Sequence, residues 1–435
     1  MSHHHHHDHD DYSMKTWLSK VKAYKKPVFS KSMWQVINSF VPLIVLWMLS
    51  YFALQQSFWL MLAPALLAGC FVVRIFIIQH DCGHGSFFKN KKLQDWVGRT
   101  CSLTTLTPYY HWKMEHSIHH AHSGDLDHRD IGEIDTYTVE EFLHLSKGEK
   151  FWYRVMRNPF FLFLVAPIIQ FGVLQRFPKG KHDLKNKKML MSIVDTNLAL
   201  LGVVIVVSSF IGWKDYFIVQ GLISYAASSL GVWLFYVQHQ FEDGYWYHKP
   251  EWNMVQSALH GSSYFKLPKL LQWFTGNIGY HHIHHLSPQI PNYELERCHN
   301  DHPEFDEEVT TLTLKNCWCT MKLRLWDEKK KTLVSMKELY QDYKPRFEAV
   351  SRAMEKLKYQ QEVMLHEVSE MKDKLAEYSH NGGEIRKRVI ENQMRTLQKM
   401  LKKRSARKEE RIKALRNEIE VLKQSVKLFM GVKSI

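Results

Sequence analysis

Four uninterrupted apolar runs, grouped two and two, constrain this chain more than any other feature. The first extends from about Val36 to Leu54 and the second from Phe58 to Ile78, with only Gln55-Gln56-Ser57 between them. The third and fourth, Ile193 to Ile211 and Tyr216 to Val237, flank the tight Gly212-Trp213-Lys214-Asp215. At 1.5 Å per helical residue, each is long enough to cross a hydrocarbon core of about 30 Å. Each pair therefore predicts a transmembrane hairpin with a minimal external turn. The mean hydropathy of -0.32 hides this, because it averages the runs with a highly charged C-terminal segment.

Basic residues orient the hairpins by the positive-inside rule. Lys15, Lys20, Lys22, Lys25, Lys26 and Lys31 precede the first run, Lys89 to Lys92 follow the second, and Arg176 to Lys188 precede the third. All are expected on the cytoplasmic side. A fifth apolar stretch, Phe160 to Leu174, would put Arg176 on the wrong side if it crossed once. Its length of about 15 residues suits an interfacial or re-entrant helix better than a span. The expected fold is all-α and polytopic, with four spanning helices and one or two interfacial ones. Six spans would require a second short segment to cross as well.

Three regions divide the 435 residues. Residues 1–13, MSHHHHHDHDDYS, read as a purification tag ahead of a start at Met14. Residues 14–336 hold the spans and a polar stretch, 239–336, rich in His, Trp and Tyr and expected to form a cytosolic cap of helices and loops. Residues 337–435 are a basic tail. They carry 24 Lys+Arg against 15 Asp+Glu, so +9 of the formal net charge of +14 lies there. That imbalance gives the rest of the chain no reason to bind nucleic acid.

In the tail, Val350, Met354, Leu357, Gln361, Met364, Val368, Met371, Leu375 and Tyr378 alternate four and three apart, a heptad seam. His380-Asn381-Gly382-Gly383 breaks it, and Leu415, Ile419, Leu422, Val426 and Phe429 resume it. A coiled-coil helix hairpin follows, suited to homo-oligomerisation, partner docking or an engineered fusion. The six cysteines have no disulfide-framework spacing, and Cys317 and Cys319 stand closer than zinc sites favour.

Histidine carries the chemistry. Of 27, six lie in the opening 13 residues, and the others concentrate in clusters. His80-Asp81-Cys82-Gly83-His84 ends the second span. His116-Ser117-Ile118-His119-His120 forms a second cluster and His281-His282-Ile283-His284-His285 a third, while His239 emerges at the end of the fourth span. Residues three and four apart share a helix face, so the imidazoles within each cluster converge. Ordinary surface histidines would explain one such pair, but not three groups at metal-ligand spacing on one side of a bilayer. Neutral imidazole suits Zn, Cu, Fe and Ni. Eight or nine ligands exceed the four to six positions of one ion, so two metals are required.

The motifs HDCGH, HSIHH and HHIHH resemble the three histidine boxes of the membrane fatty-acid desaturases. The strings HSIHHAHSGDLDHRDIGEIDTYTVEE, FYVQHQFED, GSSYFKLPKLLQWFTGNIGYHHIHHLSP and NYELERCH are similar to the bacterial acyl-lipid branch, with its Δ5- and Δ12-type members. The likeness runs from about Met14 to Met336 and stops at the tail. It implies a non-haem di-iron centre that uses O₂ to remove two hydrogens from an acyl chain of a membrane phospholipid. It implies His80, His84, His116, His119, His120, His239, His281, His284 and His285 as iron ligands, and a kinked apolar tunnel for the chain. It also implies an external electron donor such as reduced ferredoxin, and a place in the bacterial inner membrane with the site facing the cytoplasm.

Weaker expectations surround these residues. His111, His122, His128 and His282 are second-layer donors or surface groups. Asp81, Glu115, Asp125, Asp127, Glu242 and Asn277 either orient imidazoles or serve as caps and loop acids. Trp112, Trp246 and Trp273 read as interface anchors. The alternatives are a di-iron fatty-acid or alkane hydroxylase of the same superfamily, and a non-catalytic membrane scaffold acting through the tail.

Overall fold

The computed structural model describes residues 14–129 and 132–380, together with scattered helical positions between 388 and 417. Four helices are long and apolar enough to cross a membrane: Phe29–Gln56, Phe58–His84, Lys187–Ile211 and Trp213–His239. They are the four predicted spans, each lengthened past its apolar run. Nothing stops a helix where apolar residues give way to polar ones. The second ends only where Gly85 turns left-handed at φ 82°. The turns between partners are as short as expected, with Ser57 capping one helix through its Oγ.

The second spanning helix is the hub. Its most apolar stretch is 61% buried, against 17%, 17% and 28% for the first, third and fourth. That explains why it is apolar on all sides toward its C-terminal half, whereas the first and third leave Trp34, Ile44, Phe52, Leu198, Ile205 and Phe210 exposed along their length. Small residues permit the close approach. A Cβ on Gly69 would lie 2.8 Å from Ala226 Cβ and 3.3 Å from Ile223 O on the fourth helix. Polar pairs reinforce the bundle: Trp47 Nε1 donates to Gln220 Oε1 at 3.0 Å, and Gln55 Nε2 donates to Asp215 Oδ2 at 2.8 Å between the two external turns. Arg74, inside the second span, places its guanidinium 3.9 Å from the Trp273 ring centroid and donates to the Trp273 carbonyl.

The fifth apolar stretch is helical but irregular. Residues 161–176 bend 62° from helix Lys147–Met156 and expose Phe160, Leu164, Ile168, Val173 and Leu174. Beyond it, Lys179 Nζ reaches Glu115 Oε1 at 2.9 Å and Asp183 Oδ2 lies 2.9 Å from His111 Nε2. Before it, Arg157 Nη2 donates to Gln240 Oε1 at 2.6 Å, next to His239, so both flanks of the bent segment sit on the histidine side.

Helix Met14–Val21 packs against the polar stretch after the fourth span, with Trp17 5.3 Å from Phe305 and Lys20 2.6 Å from Glu304. The polar stretch itself holds short helices and, beyond the expectation of helices and loops, strands. Tyr264–Lys266 pairs in parallel with Thr311–Thr313, and Leu323–Asp327 forms a separate two-stranded sheet with Thr332–Ser335 across a short turn. Runs of three to five residues are too short to announce themselves by alternation.

The chain divides into two compact units, residues 1–138 with 150–334, and residues 139–149 with 335–435. In the second, one helix runs from Met336 to His380, passing through Pro345. Val350, Met354 and Leu357 are half-buried on it. The expected partner segment around Leu415 to Phe429, and the Asn381-Gly382-Gly383 break, lie outside the described residues.

Candidate metal centre

All nine histidines singled out in the sequence, eight by spacing and His239 by its place at the end of the fourth span, come together. His80 and His84 occupy the last turn of the second spanning helix, and helix Tyr109–His122 carries His116, His119 and His120. His239 is the last residue of the fourth spanning helix, and the short helix His281–Leu286 supplies the remaining three. Their ring nitrogens form two adjacent groups. His80, His84, His116, His120 and His284 make one, and His119, His239 and His285 the other, each with its ligand atoms within 4.8 Å of one another. His281 joins the second through Nε2, 2.9 Å from His239 Nε2.

The nitrogens face each other without a proton for every contact. His80 Nε2 lies 2.9 Å from His284 Nε2, which lies 2.9 Å from His120 Nε2, which lies 3.1 Å from His116 Nε2. In the second group His239 Nε2 is 3.2 Å from His119 Nε2. The buried Nε2 atoms of His84 and His285 have no hydrogen-bond partner among the described residues. Burial, reinforced by neighbouring imidazoles, holds His119, His281, His284 and His285 well below the ordinary histidine range, so these rings are neutral. Converging bare lone pairs repel unless a cation sits among them. Two nitrogens each about 2.1 Å from one ion and at right angles would be about 3.0 Å apart, the spacing seen here. The donor set fits two imidazole-bound transition-metal ions.

The surrounding groups fix which nitrogen points inward. Asp81 Oδ1 lies 3.0 Å from His80 Nδ1, leaving Nε2 as the bare atom. The other carboxylate oxygen accepts from the backbone N–H and side-chain amide of Asn292 at 2.7 and 2.8 Å. Gln35 Nε2 in turn donates to Asn292 Oδ1 at 3.0 Å, tying this chain to the first spanning helix. His239 Nδ1 lies 3.2 Å from the Gly261 carbonyl. Asp81 thus takes the orienting role, and Asn277, left-handed at φ 58°, supports it by donating to the Asn292 carbonyl at 3.2 Å.

Several neighbours differ from the sequence reading. Trp112 is no interface anchor: it stacks on His116 at 4.6 Å and 19°, and a Cβ on Gly83 would lie 3.0 Å from it. Trp246 is buried in a cluster with Leu126 and Trp326, because residues 239–336 fold back and cover it. His282 turns away, with Nε2 3.2 Å from His299 Nδ1. His111 is buried against Asp183, while Glu115 lies beyond hydrogen-bond reach at 3.6 Å. Asp125 gathers His122, His128 and Lys249 at the rim, Asp127 pairs with His248 at 2.7 Å, and Glu242 is exposed.

Glu133 went unsuspected. Its buried carboxyl lies 3.7 Å from His119 Nδ1, with its other oxygen unpartnered among the described residues, and burial pushes it up to about 8. With His119, His239 and Phe235 it lines a cavity of about 10 Å³, room for about one water. The only sequence cue is its place in Gly132-Glu133-Ile134, shortly after the second histidine group.

Known proteins agree with this arrangement. The family profile described as fatty acid desaturase matches residues 57–314. A fatty acid desaturase of Bacillus subtilis (strain 168) is 44% identical over 328 residues, covering 75% of this chain and 92% of its own length. The sn-1 acyl-lipid omega-3 desaturase (ferredoxin) of Synechocystis is 30% identical over 53% of this chain and 64% of its own. The sn-1 oleoyl-lipid 12-desaturase of Anabaena variabilis is 24% identical over 70% and 86%. With its apolar helices and gathered histidines, the chain belongs to the membrane fatty acid desaturase family.

Proposed function

We propose that this desaturase introduces a cis double bond into fatty acyl chains esterified in membrane phospholipid, using O₂ and two iron ions held by His80, His84, His116, His119, His120, His239, His281, His284 and His285. The observation that carries the reading is the pair of adjacent imidazole groups, in which eight ring nitrogens from two spanning-helix ends and two shorter helices converge. The acyl-lipid desaturase names of two relatives support the substrate class.

The balance is four-electron. One O₂ becomes two waters, taking two hydrogens with their electrons from the –CH₂–CH₂– unit and two further electrons and two protons from outside. No side-chain acid or base can activate a mid-chain methylene, so the iron pair supplies the oxidising power when bound. The chain's own residues do the rest. Asp81 and Gly261 O orient the rings of His80 and His239, while burial keeps water from competing with the ligands. The two groups lie where spanning helices end, at the margin between lipid and water, so an acyl tail can arrive from the bilayer and a reductant from solution. The donor is a small acidic electron carrier of the ferredoxin type, a word that appears in one relative's name. In this reading the face lies toward the cytoplasm of a bacterial inner membrane, which the Lys- and Arg-rich segments support by the positive-inside rule.

Expression of the chain in a bacterium without polyunsaturated lipids, followed by gas chromatography with double-bond localisation, tests the reading. A new alkene that requires O₂ is expected. A retained hydroxyl would favour hydroxylation instead, and unchanged lipids with iron-loaded protein would refute the proposal.

A further inference from the structure

Away from the histidines, a cavity of about 140 Å³ opens beside the start of the third spanning helix. On the scale that gives the cavity beside Glu133 room for about one water, this is room for about ten, enough for a phosphate with its nearest ester carbons. Arg99, Lys188, Ser192, Asp195, Thr196 and the ring of Tyr110 line it. Two guanidinium or ammonium groups face one carboxylate, so the cavity is net cationic. Each basic group has a partner at the cavity mouth: the half-exposed Arg99 Nη2 lies 3.2 Å from Asp195 Oδ2, and Lys188 Nζ sits 4.2 Å from the Tyr110 ring centroid.

The hydroxyls are arranged to donate. Ser192 Oγ accepts the Tyr110 N–H at 3.0 Å, and neither its own O–H nor that of Thr196 donates to any group among the described residues. Lys188, Met191, Ser192, Asp195 and Leu198 follow three- and four-residue steps, so they share one stripe of the helix. The stripe starts basic and turns apolar. Leu198 is 63% exposed, and Leu201 and Ile205 further along are also exposed. A soluble phosphate would use only the upper part of this stripe. A ligand with a phosphate above and hydrocarbon below would use all of it.

We infer that this cavity binds the phosphate of an anionic glycerophospholipid, with Arg99 and Lys188 on its oxygens, Ser192 and Thr196 donating, and the acyl chains lying along Leu198 and Leu201. The site needs only the membrane-spanning fold and stands independently of the iron proposal. Tyr110 begins the helix that carries His116, His119 and His120, so an occupied site is anchored to the second histidine group.

The test uses the full chain, delipidated in detergent and re-supplied with dioleoylphosphatidylglycerol, with dioleoylglycerol as a phosphate-free control and inorganic phosphate as a chain-free one. Lipid retained per protein is counted by native mass spectrometry. At least tenfold preference for the phospholipid over dioleoylglycerol is expected, with at least fivefold loss in an R99Q/K188Q double variant. The S192A/T196V variant keeps both charges and should lose about threefold, deciding the matter if the first variant melts early. Iron content should be unchanged in either. Equal retention of both lipids, equal retention by both variants, or displacement by millimolar inorganic phosphate would overturn the assignment.

Discussion

His80 Nε2 lies 2.9 Å from His284 Nε2 across 204 residues of intervening chain. The same nitrogen of His284 contacts His120. One ring on the short helix His281–Leu286 therefore joins the end of a spanning helix to the helix of the second histidine group. Replacing it by alanine removes a donor shared by two neighbours. His284→Ala should lower bound iron per chain and cut desaturation at least about 100-fold, as measured by mass-spectrometric metal analysis and lipid chromatography. The opening histidines of residues 3–9 must be removed first, since they bind metal themselves. Unchanged unsaturation would remove the mechanism.

Asp81→Asn keeps the size of the side chain but takes away the charge that holds the His80 Nδ1–H. A loss of about 10–100-fold in metal retention under a chelator is expected, with the fold intact by circular dichroism. Retention equal to wild type would assign Asp81 to packing alone.

The depressed imidazoles set a pH dependence. In the unfolded chain a histidine titrates near about 6.5, whereas His119, His281, His284 and His285 stay neutral to lower pH in the fold. Below about pH 6.5 the unfolded state takes up protons that the native state refuses, so stability present above that value is lost as pH falls. The melting temperature of metal-free protein should drop steadily from pH 7.5 to 5.5. A flat profile would mean that these rings are solvated.

Gly69→Ala should destabilise by about 1–3 kcal/mol, because its methyl meets Ala226 Cβ at 2.8 Å. The second-site change Ala226→Gly should restore part of the melting temperature. No rescue would locate the strain at Ile223 O and Ala227 N instead.

Ending the chain after Lys344 removes the proposed coiled-coil tail. Desaturation should stay within about twofold, while the particle mass by light scattering falls if the tail associates. Loss of activity with the membrane helices intact would give the tail a catalytic part.

The spans and the histidine groups were legible because both are local signals. Length and apolarity announce Phe58 to Ile78, and three- and four-residue spacing announces His116, His119 and His120. Their partners were not. Asn292 and Gln35 matter only because the chain folds back 211 and 257 residues to meet them. Glu133 looks like any loop acid until burial isolates it. Trp112 was misread for the same reason: its residue type suggests an interface, and only the stack on His116 reveals its use. The helix ends ran longer than the apolar runs because hydrogen bonding, unlike hydropathy, continues past the polar boundary.

The tight packing of Gly69 against Ala226, within the bundle of spanning helices, acts as a fulcrum. At 1.5 Å per residue, His80 stands about 16 Å beyond it along one helix and His239 about 20 Å beyond it along the other. Two rods pinned at that point can splay only as far as the pin allows. The spacing of the two histidine groups is thus set partly at a distant contact, where one extra methyl would lever both tips apart.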